Sequence, residues 1–218
     1  MPLKEKLVEV CHKVYERGFV AAYDGNISAR TENNTILITR SGKCKGEITS
    51  DDILEVYYNG NILSGNGKVS TENKIHLFVY SNRKEVNAVV HCHPPYSTAF
   101  ALIGEGLTDH YLPEVMLTLG KVPVCKYATP STDQVPESMK PFIEHAWALL
   151  LANHGAVAFG KNLDDAYYKM EKLEHAAKII FLAKQLGKPQ KLSDESVKEL
   201  FDMSENTYGI KQDRRNIF

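Results

Sequence analysis

The sequence predicts a single α/β domain, a three-layer sandwich in which helices cover a central mixed or antiparallel sheet. Three observations predict it. Short β-branched runs of strand length alternate irregularly with stretches of helical periodicity. Asn59-Gly60-Asn61 between two apolar runs is a hairpin signal, so neighbouring strands run antiparallel in at least one place. The 218 residues carry no internal repeat and no low-complexity linker, which suits one domain over 1–218.

Taken in order, Leu3, Leu7, Val10, Cys11 and Val14 recur at helical spacing, giving an opening amphipathic helix that stops near Gly18. Tyr23-Asp24-Gly25-Asn26-Ile27-Ser28 is a turn running into apolar–polar alternation, and Thr35–Thr39 is the next strand, ended by Ser41-Gly42-Lys43. Glu55–Tyr58 and Ile62-Leu63 flank the hairpin turn. Ser70-Thr71-Glu72 can cap a helix carrying Ile75, Leu77, Phe78 and Val79. Val86 and Ala88–Val90 form a buried strand, followed by a helix over 98–103. From Leu107 to Pro141 the chain is proline-rich and loop-like, with Val122-Pro123-Val124 as an edge strand and a short helix after Pro141. Trp147–Ala152 and Ala156–Phe159 are strands. Asn162 begins the longest helix, with Leu163, Ala166, Tyr167, Met170, Leu173, Ala177 and Ile180 on one stripe, ending before Gly187. Ser193 starts a last amphipathic helix, and the tail 205–218 is polar and expected to be mobile.

Composition excludes several classes of function. A net charge of −1 with interspersed signs gives no electrostatic case for nucleic acid or a membrane surface. No apolar stretch approaches the length of a membrane span, and Lys4, Glu5, Lys6 and Glu9 break any signal-peptide apolar region. Four dispersed cysteines without a C-x-x-C pair read as reduced thiols in a cytoplasmic protein.

The chain is organised around Val89-Val90-His91-Cys92-His93-Pro94. Side chains alternate along a strand, so His91 and His93 share one side and Cys92 faces the other. The Trp147–Ala152 strand ends in Asn153-His154-Gly155, where a glycine allows close backbone approach. Three histidines at two strand ends would supply the three protein ligands of a catalytic zinc ion, provided the strands are neighbours. The plain alternative is a core histidine beside an exposed one.

Together, Gly25-Asn26-Ile27-Ser28, Ser41-Gly42, Ser70-Thr71-Glu72, His91-x-His93, Tyr111, Asn153-His154-Gly155 and Tyr208-Gly209 resemble the class II aldolase/adducin family, in order and spacing, over nearly the whole chain. The resemblance implies that family's fold and one Zn²⁺ per subunit, held by His91, His93 and His154 with Glu72 as a fourth ligand and catalytic base. It implies substrate-phosphate binding by Asn26, Ser41, Gly42, Ser70 and Thr71. It also implies proton donation by Tyr111 from a neighbouring subunit, transition-state stabilisation by Tyr208, and a homotetramer with sites between subunits. The implied activity is that of a class II aldehyde-lyase. It would cleave a ketose 1-phosphate such as L-fuculose 1-phosphate to dihydroxyacetone phosphate and a short aldehyde such as lactaldehyde.

The same residues have plainer readings. Glu72 could be a first-turn acid meeting the helix dipole, and the phosphate residues could each be ordinary turn or cap residues. Tyr23-Asp24 departs from the Thr-Ala pair of related aldolases, which puts one phosphate contact in doubt. Glu114 keeps open a methylthioribulose-1-phosphate dehydratase-like reaction. A sugar-phosphate 4-epimerase is disfavoured because those enzymes carry Asp at the position of Glu72, and an adducin-like interaction module because such modules lack the histidine set.

Overall fold

The computed structural model describes all 218 residues. Its centre is one eight-stranded sheet of order β4-β3-β2-β1-β5-β8-β7-β6, built from β1 (Asn26–Arg30), β2 (Ile36–Thr39), β3 (Ile53–Val56), β4 (Ile62–Ser64), β5 (Ala88–Cys92), β6 (Val124–Cys125), β7 (Ala148–Leu151) and β8 (Gly155–Gly160). Every pairing is antiparallel except β6 with β7, so the sheet is mixed. The hairpin at Asn59-Gly60-Asn61 joins β3 to β4 as expected.

The helices are α1 (Leu3–Glu16), α2 (Asn73–Asn82), α3 (Pro95–Leu102), α4 (Pro113–Thr118), α5 (Gln134–Met139), α6 (Leu163–Leu186) and α7 (Asp194–Asn206). They make the two outer layers of the sandwich. Strand alternation divides the core accordingly. Ile27, Ala29, Ala88, Val90 and Cys92 pack with α1, α3 and α6, while Val89, Val157 and Phe159 pack with α2 and α5. The whole α6 stripe read from sequence is buried. Asn162 caps α6 by accepting from the Asp165 N–H, and Ser193 caps α7 by accepting from the Ser196 N–H. No helix is long and apolar enough to cross a membrane.

One expectation fails, and proline explains it. The 107–141 stretch contains α4 and α5, whereas no helix follows Pro141, where the chain only turns. Pro113 opens α4, Pro95 opens α3 three residues before the expected start, and Pro136 sits in the first turn of α5. Those early positions need no intrahelical N–H, so proline starts a helix there instead of breaking it.

The tail packs against the rest of the chain at its end. Ile217 is buried against Met116 and Val197. Asn216 donates through Nδ2 to the Leu119 carbonyl at 2.9 Å and accepts at its own carbonyl from the Lys121 N–H at 2.8 Å. Gln212 donates to the carbonyl of Leu117 at 2.7 Å.

Candidate metal centre and active site

β5 and β8 are neighbours, with Cys92 opposite Ala156, and this register delivers the three histidines to one place. His91 lies inside β5 and His93 just beyond its end, while His154 sits in the tight β7–β8 turn. One ligand nitrogen from each lies within 4.8 Å of the other two. Two close approaches make the convergence possible. A Cβ on Gly155 would stand 2.5 Å from His93 Cδ2 and 2.6 Å from the Cys92 carbonyl, so only glycine lets the turn pass. Gly25, at φ +72°, brings the loop before β1 against the His91 carbonyl, 2.8 Å from where a Cβ would be.

The ring hydrogen bonds fix which nitrogens face inward. His91 Nδ1 donates to the Ala156 carbonyl at 2.9 Å, which places the proton on Nδ1 and leaves the Nε2 lone pair free. His91 Nε2 and His93 Nε2 are both buried without a hydrogen-bond partner. Burial, followed by the neighbouring His91 and His154, pushes His93 down to about 4. The His93 ring is therefore kept neutral, the state in which an imidazole binds a metal ion.

Glu72, the residue before α2, is the fourth member. Its Oε1 stands 2.9 Å from His154 Nε2 and its Oε2 3.5 Å from His91 Nε2. Burial would raise its carboxyl, but the contacts with His154 and His91 outweigh this and hold it well below the usual carboxylate range. Asp24, exposed at the loop before β1, brings a carboxylate to 3.7 Å from His93 Nδ1.

Two of the three loops named for phosphate are adjacent. The Ser41 N–H donates to the Lys68 carbonyl at 2.8 Å, which lays Ser41-Gly42 beside the segment leading to Ser70. Ser70 Oγ accepts from the Glu72 N–H at 3.3 Å. Thr71 Oγ1 meets Ser131 Oγ at 2.6 Å. Ser41, Gly42 and Thr71 are exposed and Ser70 half-buried, so an incoming anion can reach them. Lys45, which no sequence motif marks, is buried and donates to the carbonyls of Tyr23 and Lys43 at 3.2 and 2.8 Å. Burial lowers its pKa.

Asn26 lies deeper than the other phosphate candidates. It is buried, its Nδ2 donates to Glu72 Oε2 at 2.8 Å, and its Oδ1 meets His76 Nε2 at 2.5 Å. His76 and Tyr80 belong to no recognisable motif in the sequence. Glu72, His76 and Tyr80 are spaced i, i+4, i+8, and that spacing was the available signal.

The chain does not bring every named residue to the histidines. The Tyr111 hydroxyl donates to Asp109 at 3.0 Å, and burial together with Asp109 raises its pKa. Tyr208 is exposed at the end of α7. The Glu114 side chain is exposed in the first turn of α4.

Comparison with known proteins agrees with this geometry. The model of the Class II Aldolase and Adducin N-terminal domain matches residues 5–181. A 3-oxo-tetronate 4-phosphate decarboxylase of Pectobacterium atrosepticum is 36% identical over 184 residues, covering 82% of this chain and 84% of the relative. An L-fuculose phosphate aldolase of Methanococcus maripaludis strain C7 is 34% identical over 179 residues, covering 82% and 96%. The solved structure of an L-fuculose 1-phosphate aldolase matches with a TM-score of 0.85 at 33% identity, covering 94% of this chain and 96% of that one. A chain with three converging histidines, an adjacent carboxylate and this sheet, matched by the family over most of its length, is a member of the class II aldolase and adducin family.

Proposed function

We propose that the protein is a zinc-dependent lyase that cleaves a ketose 1-phosphate of the L-fuculose 1-phosphate kind, releasing dihydroxyacetone phosphate and a short aldehyde such as lactaldehyde. The observation that carries this reading is the position of Glu72. Its carboxylate lies against the histidine cluster on one side and continues the Ser70-Thr71 loop on the other. A proton-transfer group thus stands between a cation site and an anion site, as bond breaking beside the carbonyl of a sugar phosphate requires.

The residues fit a metal ion, since two buried imidazole nitrogens have no partner of their own. His91, His93 and His154 would hold it, with Glu72 as a fourth ligand, and three imidazoles with a carboxylate favour zinc. When bound, the metal supplies Lewis-acid stabilisation of charge developing on the substrate oxygens. Ser41, Gly42, Ser70 and Thr71 take the phosphate through hydroxyls and loop N–H groups. Glu72 moves the proton at C3 of the three-carbon fragment. Tyr111 and Tyr208 come from a neighbouring subunit of a homotetramer in the cytoplasm, with Tyr111 handling the proton on the aldehyde oxygen. Tyr111 bonds to Asp109 and Tyr208 is exposed, so neither hydroxyl is engaged by the histidines of its own chain, which supports that arrangement.

The 36% identical decarboxylase favours a second reading. Loss of C1 as carbon dioxide from a 3-oxo-tetronate 4-phosphate leaves charge on C2 beside the C3 ketone, and protonation there yields dihydroxyacetone phosphate. Both reactions therefore use the same phosphorylated three-carbon fragment and a proton at the same carbon. They differ in the other half, because only the aldol cleavage needs a group such as Tyr111. One assay separates them: dihydroxyacetone phosphate release from a small panel of ketose 1-phosphates and from 3-oxo-tetronate 4-phosphate, with aldehyde and carbon dioxide counted. Aldehyde release supports the lyase. Carbon dioxide release supports the decarboxylase, and silence on both would overturn both.

A further inference from the structure

On the α2 side of the sheet, five buried or half-buried polar groups form a continuous line. The Tyr80 hydroxyl lies 2.7 Å from Ser28 Oγ, Ser28 Oγ 2.6 Å from His76 Nδ1, His76 Nε2 2.5 Å from Asn26 Oδ1, and Asn26 Nδ2 2.8 Å from Glu72 Oε2. Tyr80, Ser28, His76 and Asn26 are all at most 3% exposed. Two periodicities build the line. Asn26 and Ser28, two apart on β1, share one face of the sheet, and Glu72, His76 and Tyr80 descend one stripe at the start of and along α2. The register that sets Asn26 opposite His91 places the head of the line beside the histidine cluster.

Its direction follows from proton counting. An ionised Glu72 can only accept, so the Asn26 amide must turn its NH₂ toward it. That leaves Asn26 Oδ1 as the acceptor for His76, whose proton must then be on Nε2. The lone pair of a neutral His76 is on Nδ1 and takes the single proton of Ser28, and the vacated Ser28 oxygen takes the proton of Tyr80. With His76 neutral, every bond is made and each donor points toward Glu72, so the dipoles reinforce one another.

We infer that His76 is a positioning residue, which through Asn26 holds the Glu72 carboxylate turned toward the histidine cluster. The inference rests on the proposed role of Glu72 as the proton-transfer group. Pinning Oε2 through the relay leaves Oε1, the oxygen nearest His154, as the one free to exchange partners during turnover. Without His76 the Asn26 amide is free to flip, and its oxygen would then oppose the carboxylate.

The test compares His76→Leu, His76→Gln and Ser28→Ala in the full-length protein. Gln can place an N–H donor near the position of His76 Nε2. Ser28→Ala keeps the ring but removes the proton donor that locks its tautomer. For folded, metal-loaded His76→Leu we expect kcat to fall by ~10²-fold, the cost of a misplaced reacting group. KM should stay within about threefold, because the phosphate loops are untouched. His76→Gln should recover most of the rate, with Ser28→Ala between the two.

A second readout is independent of turnover: the visible spectrum of the cobalt-substituted, substrate-free protein. It should change in His76→Leu and return in His76→Gln. Wild-type kcat and an unaltered cobalt spectrum in His76→Leu would overturn the inference, as would equal damage in Gln and Leu. Should His76→Leu not fold, Ser28→Ala decides by the same two readouts, and a wild-type result on both overturns the relay. Wild-type protein inactive on every substrate of the panel would remove the proposed reaction, while the cobalt comparison would still judge the relay.

Discussion

Glu174 is the carboxylate whose removal should cost this fold most clearly. It projects from α6, is 8% exposed, and accepts three hydrogen bonds: from the N–H groups of Tyr96 and Ser97 at 2.9 and 2.8 Å and from Ser97 Oγ at 2.7 Å. These are the first donors of α3, whose N-cap position is Pro94 and offers no side-chain acceptor. Glu174 is therefore a cap supplied from another helix, two residues beyond His93. In Glu174→Ala two backbone donors and a fully buried hydroxyl lose their acceptor together. Each buried unsatisfied group costs ~1–3 kcal/mol, and water entering the vacated space relieves part of that. A net loss of ~3–5 kcal/mol is expected, a large share of the ~5–15 kcal/mol that holds a domain folded. In a chain of this size that corresponds to a fall in Tm of ~6–20 °C. Thermal unfolding of the metal-free protein, followed by circular dichroism, measures it, with urea titration giving the free energy directly. Glu174→Gln keeps the shape and one acceptor oxygen, so it should fall between wild type and alanine. A Tm for Glu174→Ala within about 2 °C of wild type, below 1 kcal/mol on the same scale, would refute the capping argument.

Three further outcomes are expected. Glu72→Gln should lower turnover by ~10²–10⁴-fold, the usual contribution of a general acid–base group, with metal content by elemental analysis retained through the three histidines. Gly155→Ala should instead deplete metal while leaving the fold recognisable, since its methyl would displace the His93 ring; unchanged metal content would contradict the packing. Acid should destabilise the metal-free protein through His76, which burial pushes down to about 3. Between that value and the ordinary histidine range the unfolded chain binds the proton and the folded one does not, so stability falls as pH drops through that window. The slope contributed is up to ~1.4 kcal/mol per pH unit. His76→Gln should flatten that slope, and urea midpoints at several pH values would show whether it does.

The sheet and the histidine cluster were legible because their signals are local. H-x-H at a strand end fixes two rings by alternation alone, and a glycine after His154 marks a tight turn. The relay was not legible because it depends on two periodicities meeting. Asn26 read as a phosphate ligand and His76 as an unremarked helix residue until the pairing of β1 with β5 and the packing of α2 set them face to face. Helices α4 and α5 escaped because a proline at an early helical position looks, in sequence, like a proline that ends a helix. The tail is polar in sequence, yet two residues near its end, Asn216 and Ile217, are buried. The roles proposed for Tyr111 and Tyr208 are a different matter, since a role across a subunit boundary would leave no trace in the periodicity of a single chain.

The alternation along β5 also governs how this segment can change over time. Ala88, Val90 and Cys92 face one core while Val89 and His91 face the other, so odd and even positions carry separate instructions. Substitution alters one instruction at a time. A single inserted or deleted residue between Asn87 and His91 would exchange the two sets, burying the imidazole among the apolar contacts of α6 and turning the Cys92 thiol toward Glu72. The reading is thus protected by parity: this strand can drift in composition, but only length changes in steps of two would leave the histidines on their side of the sheet.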